Sequence, residues 1–164
     1  MTTSKDSFSI DIVLRHPSYN PEHISAALSL KPKACWSVGE DLGRRVRAKW
    51  SFFYARLFED VVSSGFERAL RNVRRFLRKN AAFWIDFSGG NGEVELIVNQ
   101  IVTAQEQEGD ECLELHFTPA FLRELSDRDI GLRVQGWQGS AKKTRQGGNR
   151  GSPRKDKPPS IAVG

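Results

Sequence analysis

The chain is poor in the residues that most often carry chemistry. Among its 164 residues are two cysteines, three histidines and one methionine. Two cysteines, Cys35 and Cys112, cannot build the disulfide lattice of a small secreted scaffold, and neither lies in a spacing that suggests metal or redox chemistry. Without an export signal their thiols are expected to be free. His16, His23 and His116 fall at no strong metal-binding spacing with one another or with Cys35. No apolar run approaches the length that spans a bilayer, and the first ten residues, MTTSKDSFSI, lack the apolar stretch of a signal peptide. A cytoplasmic protein without membrane contact is the expectation. Glycine-rich dinucleotide fingerprints, phosphate-cradling loops and nucleophile-elbow serines are also missing, so no cofactor is called for and a hydrolase has little to rest on.

What is present is a strongly uneven charge. Residues 1–140 carry 18 Lys/Arg against 19 Asp/Glu, whereas residues 141–164 carry seven Lys/Arg and one Asp. The positive balance of the whole chain therefore belongs to its C-terminal tail. A second asymmetry lies inside the domain: residues 42–79 hold 11 basic and three acidic residues, and residues 80–140 hold three basic and 11 acidic. Such segregation makes either faces that attract each other across the fold or a surface that steers a charged partner.

Periodicity divides the rest. Phe8, Ile10, Ile12 and Leu14 alternate with Ser9, Asp11, Val13 and Arg15, the period of a strand. Pro17 ends it; Asn20-Pro21 opens a short helix with Ile24, Ala27 and Leu28 inward. Residues 35–43 read as a loop anchored by Trp36 and Val38. Residues 49–58, KWSFFYARLF, read as a strand with Trp50, Phe52, Tyr54 and Arg56 on one face and Phe53, Ala55 and Leu57 on the other. Phe66, Ala69, Leu70, Val73, Phe76 and Leu77 give the clearest helix, over 66–78. Residues 81–87 are taken as a further helix capped by Asn80, with a strand as the alternative. Val94, Leu96 and Val98 mark another strand, expected to pair as a hairpin with a strand at 112–117. Thr118-Pro119 starts a helix, and Ile130 to about Trp137 forms the last strand. The expected fold is α+β: a mixed, largely antiparallel sheet with helices packed against it, a ferredoxin-like variant. It comprises one domain over 1–138 and a disordered basic tail over 139–164.

Few residues suggest a site. Glu93, Glu95 and Glu114 could pair carboxylates on one face of a hairpin, although a solvent-facing sheet surface explains them as well. Trp36 reads as a loop anchor or a ligand platform, with Gly39 and Gly43 giving its loop unusual backbone freedom. Arg71, Arg74, Arg75 and Arg78 form a basic row on one helix, either balanced by the acidic second half or offered to a partner such as nucleic-acid phosphate. His16 completes the candidate ligand or partner surface of His16, Trp36, Gly39, Arg71, Arg74, Arg75 and Arg78. Catalytic and metal-binding residues are expected to be none.

The order of motifs carries a resemblance. FSIDIVLRHPSYNPEHISAALSLKP, then WSVGEDLG, KWSFFYARL, EVELIV and LELHFTPAFLRELSDRDIGLRVQGW span roughly residues 8–137. This series resembles a mainly bacterial family catalogued as domain-of-unknown-function family 4279. The strand ending in His-Pro, the Asn-Pro, and Ile24, Leu28, Pro32, Trp36 and Gly39 are its most specific part. Where the family tends to an acidic residue and a proline after the glycine, this chain has Glu40-Asp41-Leu42. The resemblance implies a fold and no catalytic role. The functional expectation is a non-catalytic protein-interaction or accessory domain, immunity-like in its small size and polarised surface. Two alternatives stand beside it: weak nucleic-acid binding through the tail and the arginine-rich helix, and a small-ligand or enzymatic domain with a pocket near Trp36.

Overall fold

The computed structural model describes residues 7–62, 65–103 and 115–139. Among these described residues, five strands and four helices follow one another as β1 (Ser7–His16), α1 (Pro21–Leu28), β2 (Ala34–Trp36), β3 (Ser51–Val62), α2 (Phe66–Lys79), α3 (Ala81–Gly89), β4 (Glu93–Thr103), α4 (Pro119–Ser126) and β5 (Ile130–Gly139). The sheet order is β2-β3-β1-β4-β5. Every pairing is antiparallel except β4 with β5, which is parallel. This is the mixed, largely antiparallel ferredoxin-like arrangement expected, with a short edge strand, β2, inside what reads in sequence as a loop.

All four helices lie on one face. Phe8, Ile10, Ile12 and Leu14 of β1, Phe53 and Ala55 of β3, and Val94, Leu96 and Val98 of β4 join one buried cluster. Ile24 and Leu28 of α1, five apolar residues of α2, Trp84 and Phe87 of α3, and Phe121 and Leu125 of α4 complete it. The period of two sends these strand residues to one side. The other face carries Arg15, Phe52, Tyr54, Arg56, Glu93 and Glu95.

Local chemistry sets the helix ends. Asn20 Oδ1 accepts from the Glu22 N–H at 2.8 Å, and Thr118 Oγ1 accepts from the Phe121 N–H at 3.2 Å, each just before a helix-opening proline. The cap expected at Asn80 is different. Its side chain donates backwards to the Phe76 carbonyl at 2.9 Å, so it closes α2 instead of opening α3. The helix over 81–87 forms nonetheless, because Trp84 is buried and its indole N–H donates to the Leu77 carbonyl of α2 at 2.9 Å.

The hairpin expected between β4 and residues 112–117 is not formed by the described residues. One edge of β4 pairs with β1 and the other with β5, and residues 115–118 adopt no regular structure. Leu115 and Phe117 instead pack against the core, Phe117 lying edge-to-face on Phe66 at 5.4 Å. A parallel pair cannot be joined by a tight turn, and here the crossover holds α4. Residues 112–114, and the tail beyond Gly139, lie outside the described residues.

Candidate binding site

Beside the helix-free face, residues 37–50 form a small hairpin. Gly39 N–H donates to the Ala48 carbonyl at 2.7 Å, Ala48 N–H to the Glu40 carbonyl at 2.8 Å, and Leu42 N–H to the Val46 carbonyl at 2.9 Å. Gly39 has φ +82°, a left-handed backbone that disfavours any other residue. The hairpin is tied to β3 by the Val38 N–H, which donates to Ser51 Oγ at 3.0 Å.

Register assembles the rest. Trp36 faces Phe52 across β2 and β3, Phe52 faces Arg15 across β3 and β1, and Arg15 faces Glu93 across β1 and β4. The Trp36 and Phe52 rings stack with centroids 4.1 Å apart and planes at 12°. Arg15 lies 3.7 Å from Glu93. Between this row and the hairpin lies an open groove of about 440 Å³, lined by Trp36, Phe52, Leu42, Val46, Ala48 and Trp50, with Arg15, Arg47, Lys49 and Glu93 as its charged members. Four of the seven exposed large apolar side chains among the described residues, Val38, Leu42, Val46 and Trp50, belong to this hairpin.

Further along the same face Asp11 is 1% exposed. Its Oδ1 accepts from Arg56 Nε at 2.8 Å, and its Oδ2 from Tyr54 Oη and Asn99 Nδ2, both at 2.7 Å. Burial and the bond to Asp11 raise the Tyr54 phenol. The bond to Asp11 likewise holds the Arg56 guanidinium above its usual value, despite the opposing effect of burial. With both oxygens occupied, Asp11 joins β1, β3 and β4 from the open side.

His16 stands at the end of β1 on the helical face, 2% exposed. Its Nδ1 accepts the backbone N–H groups of Ser18 at 3.1 Å and Tyr19 at 2.9 Å. The ring proton of the neutral imidazole therefore sits on Nε2, which is buried without a hydrogen-bond partner among the described residues. A Cβ added at Gly90 would lie 2.5 Å from that nitrogen, so the turn after α3 closes directly over the ring. Burial pushes the His16 pKa below its ordinary value; the Asp86 charge and the Phe87 carbonyl oppose this without prevailing. Asp86 itself accepts from the Tyr19 hydroxyl, a bond that raises the phenol.

The arginine row of α2 meets a carboxylate that the sequence does not advertise. Glu124 of α4, 6% exposed, accepts from Arg74 Nε at 2.9 Å and from Arg78 Nε and Nη2 at 2.7 and 3.0 Å, and Arg128 lies 3.5 Å away. Burial alone would raise the Glu124 pKa; bonds from Arg78 and Arg74 and the charges of Arg78 and Arg128 outweigh it and hold the carboxyl low. Arg71 pairs only loosely with Glu67, at 3.7 Å. Of the suspected paired carboxylates, Glu93 meets Arg15 and Glu95 meets Arg133 at 2.8 Å, while Glu114 lies outside the described residues.

The candidate residues thus lie in three places. Trp36 lines the groove with Gly39 in the hairpin beside it, His16 is buried at a turn, and Arg71, Arg74, Arg75 and Arg78 line another surface. No group of three side chains able to hold a metal ion occurs among the described residues, and no helix there is long and apolar enough to cross a membrane. No family model, curated protein or solved structure matches the chain. Asp11, Glu124 and the groove residues Leu42 and Val46 were not singled out by sequence, and Trp50 reads there only as a strand residue beside Phe52, whereas β3 begins at Ser51. The one local signal was Val46, an isolated apolar residue in GRRVRAKW.

Proposed function

We propose that the protein is a non-catalytic interaction domain that binds a segment of a partner protein in the groove between the 37–50 hairpin and the open sheet face. The observation that carries this reading is the concentration of exposed apolar side chains on one short hairpin, around an aromatic stack. A contiguous apolar patch costs solubility and persists on monomers chiefly where something docks. Aromatic and arginine side chains supply most of the energy in such interfaces, at a dry centre ringed by polar groups. Trp36, Phe52 and Trp50 form such a centre. Exposed Arg44, Arg45, Arg47 and Lys49 outnumber Glu40 and Asp41 on the hairpin, which favours a segment with an apolar anchor flanked by acidic residues. Membership of family 4279 belongs to the same proposal and rests on the motif order over residues 8–137.

Selection from a phage-displayed peptide library tests it. Enriched peptides should share an apolar anchor next to Asp or Glu, and calorimetry should show their affinity falling about tenfold or more in Val46→Asp and in Trp50→Ala. Absence of enrichment, or binding that both variants leave intact, would overturn the reading.

A further inference from the structure

The second charged surface is built differently from the groove and does not share its residues. Arg71, Arg74, Arg75 and Arg78 alone line a depression of about 320 Å³ on α2. Guanidiniums three and four residues apart on a helix repel one another, so their convergence calls for a compensating anion. Glu124 accounts for part of it. It takes Nε of Arg74 and Nε and Nη2 of Arg78. Among the described residues this leaves the terminal nitrogens of Arg74 and one of Arg78 without a hydrogen-bonded acceptor. Arg75 has no ion pair among the described residues, and Arg71 has only the exposed contact with Glu67.

The arrangement is more than a solvated basic face. Glu124 is buried and grips two of the four guanidiniums through their inner edges, so their planes are fixed before any ligand arrives. That removes much of the entropic cost of ordering long side chains around an anion. Guanidinium also matches the oxygen geometry of phosphate, which it can bind through two parallel N–H bonds. From Arg71 to Arg78 the helix rises about 10 Å. That is longer than one phosphoryl group and suits consecutive ones.

We propose that this depression is a phosphate-binding site for ligands carrying several adjacent phosphoryl groups on one chain. Arg74 and Arg78 form its preorganised floor. Arg71 and Arg75 are its recognition arms. The chemistry is common to a linear polyphosphate and to the phosphodiester backbone of a nucleic acid, and the choice of probe separates the two.

The test uses the full chain, titrated calorimetrically with tripolyphosphate and, separately, with an oligothymidylate. Three charge-matched pairs are compared: Arg71→Gln/Arg75→Gln on α2, Arg154→Gln/Lys155→Gln in the tail, and Arg47→Gln/Lys49→Gln at the groove. Neither Arg71 nor Arg75 bonds to Glu124, so the α2 pair should melt as the wild type does. At about 20 mM salt the α2 pair should weaken at least one probe about tenfold, and the other two pairs less than about threefold. The probe that shows this selective loss, or the larger one, identifies the source of the phosphates. If neither probe binds, or if the α2 pair is not the most damaging for either by at least about threefold, the site is not there.

Discussion

The two faces of β1 solve the same problem with opposite means. Towards the helices it presents Phe8, Ile10, Ile12 and Leu14, each at most 1% exposed, in a cluster of apolar side chains. Towards the open side it presents Ser9, Asp11 and Val13, also buried, with no helix over them. The first face is kept dry by packing. The second is closed by long neighbours, Tyr54 and Arg56, which fold over a carboxylate and bond to it. Cohesion on the helical side is non-directional and resides in area; on the open side it resides in three specific bonds. Each face also hides one titratable group, and the two are satisfied in opposite ways: both oxygens of Asp11 receive donors, whereas Nε2 of His16 has none among the described residues.

Three perturbations would break or sharpen that contrast. The largest effect is expected on the dry face: Phe53→Ala should cost about 3–5 kcal/mol in urea denaturation followed by circular dichroism, because it leaves a cavity that strands cannot collapse around. Asp11→Ala comes next. It removes the acceptor of the Tyr54 hydroxyl and the Asn99 amide and leaves the Arg56 guanidinium with Glu59 alone, and should cost about 2–3 kcal/mol, moderated by that remaining pair and by the partial exposure of Arg56. Should Asp11→Ala prove the costlier of the two, the bonded face and not the packed one would be what holds β1.

The smallest and most selective effect is pH dependence. His16 has a pKa below 6.5 in the folded protein, so the unfolded chain binds the proton more readily. Its contribution is complete above that ordinary value and is lost as pH falls from about 6.5 towards the folded value. Protonation would place an N–H on Nδ1, where two backbone N–H groups already point. Stability should therefore decline from pH 7 to 5 in the wild type and decline less steeply in His16→Gln. Equal slopes would mean that His16 does not govern this range. The Glu124 carboxyl, held low by its arginines, gives way later, as pH falls below the ordinary carboxylate range.

Much of the scaffold was legible because it is local. Alternation gave β1, β4 and β5; an Asn or Thr before proline gave the starts of α1 and α4; helical spacing of apolar residues gave α2. What escaped is what depends on distant parts of the chain. Glu124 looks like an ordinary helix carboxylate until α4 is set beside α2, with Arg74 and Arg78 nearly fifty residues away. Asp11 sits at an outward position of an alternating strand, and nothing nearby announces that Tyr54, Arg56 and Asn99 will enclose it. The 112–117 segment alternates as a strand should, yet it competes for an edge of β4 that β5 occupies. Pattern specifies which residues could pair, and only the tertiary arrangement decides which do. The groove was half visible: Trp36 and Gly39 marked the loop, but its exposed lining comes from residues 42–50, which straddle the end of the expected loop and the start of the expected strand.

The placing of the tryptophans has an optical consequence. Trp84 is sealed in the core with its indole N–H on a carbonyl, Trp36 is stacked on Phe52, and Trp50 is 40% exposed at the groove. An indole without water around it emits at shorter wavelength than a wet one, and a small neutral quencher reaches the second far sooner than the first. Among the tryptophans whose surroundings are described, the chain therefore carries two intrinsic reporters of different colour, one sensitive to whether the fold is intact and the other to whether the groove is filled.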